Sequence, residues 1–214
     1  MSEVAQATKP ARGNAEARRG QIVQAAVKLF ARKGYHATTI EEIAAEAGVS
    51  KGLVYVYFED KTDVLFLTLC FVLEIYAREI PALLHGTRHP LCRLETAFRA
   101  YLSLIDQYRD ATLLAYRSTA DLPAGKRQKI KAAESRVNRI LQSCIEPCIH
   151  EGLLAPANLD FLVYQYVLFC HSWALKHWAF RDKYDLDEYA AEGLRLLIDP
   201  HLTEKGRAER SAPR

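Results

Sequence analysis

Between Ser50 and Lys61 the chain places five side chains that can meet an oxyanion: Ser50, Lys51, Tyr55, Tyr57 and Lys61. Lysine ammonium groups and hydroxyls are the usual partners of phosphate oxygens, and a lysine at the start of a helix can also reach the acceptor edge of a guanine. Gly52 lies among them, where a missing side chain lets backbone come close to a large ligand. Leu53 and Val56 are apolar, and Leu53 suits contact with a thymine methyl. The grouping is one for holding a nucleic acid. Catalysis has no comparable cluster: there is no glycine-rich phosphate loop, nucleophile elbow or paired-carboxylate motif, so no catalytic residue and no enzyme activity is expected. Cys144 and Cys148 stand one helical turn apart with His150 near, the spacing of half a zinc site, but no second pair follows and Pro147 falls between them. Neither a metal nor a cofactor is expected.

The elements that would position these residues read as helices. Ile22, Ala25, Ala26, Leu29 and Phe30 mark one buried stripe, ended by Gly34. Thr39 with Glu42 three residues on forms a capping box for a second helix, whose inner face is Ile40, Ile43, Ala44 and Ala47. Gly48 closes it in a left-handed conformation. Ser50 then caps a third short helix, Lys51 to Tyr57. Small Ala44 and Ala47 allow a close crossing that Val49 and Val54 would plug. A fourth helix is expected from Asp60 or Lys61 to Ile80, ending at Pro81. Further helices are expected near 91–108, 110–120, 124–152, 158–182 and 185–198. The fold class is all-α: a three-helix helix-turn-helix head over 15–60 and a larger helical body over 61–200. A mobile arm over 1–14 and a polar tail over 201–214 flank them.

Bulk properties are consistent with this. The 214 residues are 50% hydrophobic, enough for a full core, and the net charge is +3. Residues 1–64 hold nine Lys/Arg and eight Asp/Glu, so nucleic-acid affinity must come from where charge is placed. An odd count of five cysteines argues against a disulfide framework. The N-terminal residues are polar, and the most apolar stretch, Phe161 to Phe180, contains Gln165, His171, Lys176 and His177. No membrane span and a cytoplasmic location are expected.

The string TTIEEIAAEAGVSKGLVYVYFEDKTDVL, residues 38–65, with its YxYFxxK ending, closely resembles the tetracycline-repressor (TetR/AcrR) family of bacterial regulators. The resemblance covers about Ile22 to Leu65; the rest matches in length and helical layout. It implies a homodimer of all-helical subunits that binds a palindromic operator in double-stranded DNA and leaves it when a small effector binds the body. It implies operator contacts from Thr38, Thr39, Ser50, Lys51, Gly52, Leu53, Tyr55, Val56, Tyr57 and Lys61. A carrier or enzyme on the same body, without DNA binding, is the alternative; the intact 50–61 cluster favours the regulator.

In the body, Phe161 to Arg181 is apolar nearly all round and needs cover on two sides. With Leu186 to Ile198, which carries Tyr189, Leu194, Leu197 and Ile198, it is expected to build a four-helix dimer face, the alternative being that both helices pack only within the monomer. Polar-tipped residues in apolar runs, namely Tyr101, Tyr108, Tyr116, Arg117, Tyr164, His171 and Trp173, are the candidates for an effector pocket, each also suited to plain core packing. Arg117 is the candidate partner of an acidic group. The stretches LLAYRSTADLP, KRQKIK and SWALKHWAFR are similar to regulators that sense acyl-CoA thioesters. On that resemblance Lys126, Arg127, Lys129 and Lys131 either meet CoA phosphates or form a solvated helix start. The effector would act by tilting the fourth helix, so changing the spacing of two heads on major grooves about 34 Å apart.

Overall fold

The computed structural model describes residues 12–211, with side chains from 15 to 210. Residues 1–11 of the expected arm lie outside the described residues, and helix α1 (Arg12–Lys33) already takes in 12–14. Among the described residues the chain is helical throughout. The one extended feature is an isolated antiparallel bridge between Leu154 and Leu202.

Two compact units meet in sequence after Phe71, not after residue 60. The reason is that the first turns of α4 (Lys61–Leu83) belong to the first unit, with Val64 and Leu65 fully buried. That unit also holds α1, α2 (Ile40–Glu46) and α3 (Lys51–Tyr57). Its core is the α1 stripe Ile22, Ala26, Leu29 and Phe30 packed with Ile43 and Ala44 of α2, Val54 of α3, and Phe58. Helices of seven residues have almost no stability of their own; this burial and their caps hold α2 and α3.

The second unit contains α5 (Pro90–Gln107), α6 (Arg109–Ser118), α7 (Ala124–His150), α8 (Leu159–Leu175), α9 (His177–Phe180), α10 (Leu186–Leu197) and α11 (Glu204–Ser211). α5 and α8 are the centre: α5 packs on α7, α8 and α10, and α8 also on α6 and α7. Several boundaries differ from expectation. α4 runs through Pro81 to Leu83, since a proline in the last turn removes only one amide donor. α7 also carries a proline, Pro147, inside the helix expected over 124–152. The long 158–182 segment breaks at Lys176, whose backbone leaves helical geometry (φ −121°, ψ 26°), so α8 and α9 are separate. Within the expected polar tail over 201–214, residues 204–211 form α11, and 212–214 lie outside the described residues. The helix lacks an apolar stripe and is anchored instead by His89 to Glu209 (2.9 Å), Arg210 to Glu95 (3.1 Å) and Arg210 to Asp199.

Candidate nucleic-acid interface and effector site

The connection between α2 and α3 is fixed at both ends. Thr39 caps α2 by accepting from the Glu42 amide (3.2 Å), while the Glu42 carboxylate accepts from the Thr39 amide (3.1 Å). At the far end Gly48 takes φ +64°, its amide donates to Ala45 O (3.1 Å), and the Val49 amide donates to Ala44 O (2.9 Å). This is a Schellman motif, which needs a left-handed residue at that point. Ser50 then accepts from the Leu53 amide (3.2 Å) and starts α3 at the next residue. α3 turns Val54 into the core and leaves Lys51, Gly52, Tyr55 and Val56 exposed; Leu53 is half-buried. A methyl group built on Gly52 would meet nothing within 4 Å, so its outer face is open.

Other members of the expected set have internal partners. Thr38 is fully buried and its hydroxyl donates to Gly34 O (2.8 Å), pinning the α1–α2 turn. Tyr57 is half-buried, and its hydroxyl is enclosed without a hydrogen-bond partner. Lys61 reaches back across the same turn: its ammonium donates to His36 O (3.0 Å) and Thr38 O (2.9 Å) and lies 4.8 Å from the centre of the Tyr35 ring. Two of its three N–H donors are thereby used inside the head. Lys51 forms an ion pair with Glu41 on α2 and lies 5.8 Å from the Tyr55 ring centre. The pair draws the Glu41 carboxyl below, and the Lys51 ammonium above, their ordinary ranges. Sequence reading missed Tyr35 and Glu41; the signal available was only that each lies one turn from a helix end.

The body brings four of the seven expected pocket residues together. Both ring nitrogens of His171 are engaged, Nε2 with the Tyr101 hydroxyl (2.7 Å) and Nδ1 with the Tyr116 hydroxyl (2.9 Å). Burial holds the His171 imidazole down at about 4, so it is neutral near pH 7. Burial also pushes the Tyr101 phenol well above its usual range, and the Tyr116 phenol and Glu134 carboxyl upward. Tyr101 is the hub: its ring lies 5.8 Å from Tyr76, 6.5 Å from Tyr166 and 5.9 Å from His171, centre to centre. Tyr108 joins through Tyr76 (6.1 Å). Tyr76 and Tyr166 were not anticipated. Tyr166 lies on the buried face of α8 with Leu162, Val163, Val167, Cys170 and Trp173, a face that spacing alone does not single out on a helix apolar nearly all round.

Three expected residues fall elsewhere. Tyr164 is 55% exposed on the outer face of α8 with Phe161 and Leu168. The Trp173 indole is committed to Asp106 (2.8 Å), and its ring to Tyr189 (4.9 Å). Arg117 is exposed, because α6 buries Ala111, Leu114 and Ser118 on a face that Arg117 lies off. It is therefore a solvated cation and not the buried charge its apolar neighbours suggested. Cys144 and Cys148 are both buried, and among the described residues no three possible metal ligands converge. No described helix is long and apolar enough to cross a membrane.

Comparison with known proteins agrees with both units. Residues 22–67 match the family "Bacterial regulatory proteins, tetR family", and residues 87–178 match "Tetracyclin repressor-like, C-terminal domain". The chain is 53% identical over 192 residues to the HTH-type transcriptional regulator HbdR of Aromatoleum sp. (strain CIB), covering 90% of this chain and 84% of that protein. It is 27% identical over 158 residues to the HTH-type transcriptional repressor KstR2 of Mycobacterium tuberculosis, covering 72% and 78%. In fold it is similar to the transcriptional regulator FadR of Bacillus subtilis, solved in complex with stearoyl-CoA. That match has a TM-score of 0.73 at 22% identity, covering 84% of this chain and 97% of the other. The chain belongs to the tetR family of bacterial regulatory proteins and is a helix-turn-helix transcriptional regulator.

Proposed function

We propose that this regulator is a repressor that binds a palindromic operator as a homodimer and is released by an acyl-CoA thioester. The observation that carries the DNA reading is α3: a seven-residue helix anchored by Val54 and capped by Ser50, with Lys51, Gly52, Tyr55 and Val56 exposed on its outer side. In a helix-turn-helix the second helix enters the major groove and its first residues meet base edges. Lys51 is the base reader, released from Glu41 on docking. Thr39, Ser50 and the third donor of Lys61 serve phosphates, while Thr38 and Tyr57 act through the shape of the head.

The dimer reading is supported by the apolar residues left outside on α8–α10: Phe161, Tyr164, Leu168, Trp178 and Leu196. The effector reading is supported by relatives whose names concern repression and fatty-acid metabolism, and by the stearoyl-CoA bound to FadR. Tyr101, Tyr116 and His171, with Tyr108 beside them, are the acyl-facing groups. The exposed cations Arg117, next to Tyr116, and Lys131, close to Glu134, serve the CoA phosphates. Arg127 has a role within the fold, donating to Leu122 O (2.6 Å) ahead of α7. One helix, α4, carries both Lys61 and Tyr76, so a ligand that moves Tyr76 acts on the helix that also holds the head's turn.

The test is a gel shift with DNA from upstream of the chain's own gene, followed by titration of the complex with acyl-CoA thioesters and the matching free acids. Release by thioesters alone is expected. Specific binding without release by any thioester would remove the effector class. No sequence-specific binding would favour the carrier or enzyme reading.

A further inference from the structure

The interior of the body has an uneven chemistry. Among the described residues no Asp, Glu, Lys or Arg is buried; the buried polar side chains of the body besides its tyrosines are Thr112 and Ser118. Around Tyr101, however, hydroxyls collect and are incompletely paired. The Tyr166 hydroxyl is fully buried and has no hydrogen-bond partner, and the buried Tyr76 hydroxyl has only the Thr112 hydroxyl beside it to pair with. An enclosed hydroxyl left unpaired is costly and asks for an explanation. His171 adds an open valence of its own. A neutral imidazole has one N–H and one bare nitrogen, so of its two tyrosine partners one donates to the ring and the other accepts from it. The accepting tyrosine keeps its own proton free.

We infer that the Tyr76–Tyr101–Tyr166–His171 cluster is a seat for an uncharged oxygen acceptor, a hydroxyl or keto oxygen carried on the buried acyl portion of the effector. This deepens the effector reading above and rests on it. A carboxylate does not suit the seat: with no buried cation it would be desolvated without a counter-charge. A plain hydrocarbon does not suit it either, since the Tyr166 hydroxyl would remain unpaired.

Small probes test the seat independently of DNA and of CoA. Cyclohexanol, methylcyclohexane and cyclohexanecarboxylate have one ring and differ in the group it carries. Each is titrated into the full-length protein and followed by ligand-observed NMR. Cyclohexanol is expected to bind at least tenfold tighter than the other two, and Tyr166→Phe to remove that preference while leaving methylcyclohexane binding unchanged. In the empty protein Tyr166→Phe should also raise the melting temperature, because an unpaired hydroxyl is removed; this reads the seat without any ligand. Equal binding of cyclohexanol and methylcyclohexane, a preference for the carboxylate, or binding of none would each overturn the inference. In parallel, operator release is measured with octanoyl-, 8-hydroxyoctanoyl- and suberoyl-CoA. Equal release by the first two overturns the oxygen seat but leaves the thioester reading standing. Cyclohexanol selectivity without release by any thioester supports the seat and removes the thioester.

Discussion

Lys61 offers the sharpest separation between a residue that touches DNA and one that builds the surface that does. Replacing it with Met keeps much of the aliphatic stem and removes the ammonium. The lost interactions are the bond to Thr38 O (2.9 Å, partly buried), the more exposed bond to His36 O (3.0 Å) and the position over the Tyr35 ring (4.8 Å). A charge-assisted bond is worth about 1.5 kcal/mol at the low end when partly buried, and an exposed cation–π contact about 0.5 kcal/mol. Counting the exposed bond as negligible, the α1–α2 turn loses about 2 kcal/mol, or roughly 30-fold in its opening equilibrium. Hydrogen exchange of the α2 amides in the free protein reads this directly, and about 30-fold faster exchange is expected with no DNA present. Operator affinity should fall as well, and its dependence on salt should become shallower by at most one counterion. Unchanged exchange together with a salt slope reduced by a full unit would refute the structural role and leave Lys61 a plain phosphate contact.

Leu196 is 64% exposed whereas Leu197 is half-buried, so Leu196→Glu should give folded monomers by sedimentation velocity; a folded variant that stays dimeric moves the interface away from α10. His171 titrates at about 4 in the folded protein against an ordinary 6.5, so the unfolded chain binds the extra proton between those values. The body's stability is then full above about pH 6.5 and falls toward pH 4, by about 3 kcal/mol in total; His171→Gln should flatten this slope in denaturant melts, and parallel slopes would sink the assignment. A methyl group on Gly193 would lie 2.4 Å from Phe169 and 2.5 Å from Phe98, rings held by Tyr189 (4.6 Å) and Tyr166 (4.5 Å). Overpacking of about 1–3 kcal/mol outweighs the helix preference of alanine, about 1 kcal/mol, so Gly193→Ala should lower the denaturation midpoint; a rise would show that the rings move freely.

The head was legible because its signals are local. Thr39 with Glu42, Gly48 and Ser50 are each read within four residues, and each takes the expected cap or turn. The body was legible in its helix count and less so in its faces. Tyr164 and Tyr166 are two residues apart on a helix that is apolar nearly all round, so periodicity could not say which points inward; contacts with α5 decide it for Tyr166. Arg117 misled for the same reason, sitting among apolar neighbours in sequence but off the buried face of α6. The internal bonds of Lys61 are not legible in sequence because the carbonyls it reaches, His36 and Thr38, are more than twenty residues away. α11 was invisible since its anchors are ion pairs to distant residues and the absence of a side chain at Gly206, where a methyl group would lie 2.1 Å from Leu153 O.

The arrangement of α3 also bears on how such a regulator changes its target over descent. The residues that keep the helix in place, Gly48, Ser50 and Val54, are separate from those that face outward, Lys51, Gly52, Tyr55 and Val56. Substitution at the outward positions disturbs little packing, so the recognised sequence can drift while the fold is retained. A duplicated copy could acquire a new operator in a few steps, each still a folded protein, and leave the effector chemistry of its body untouched.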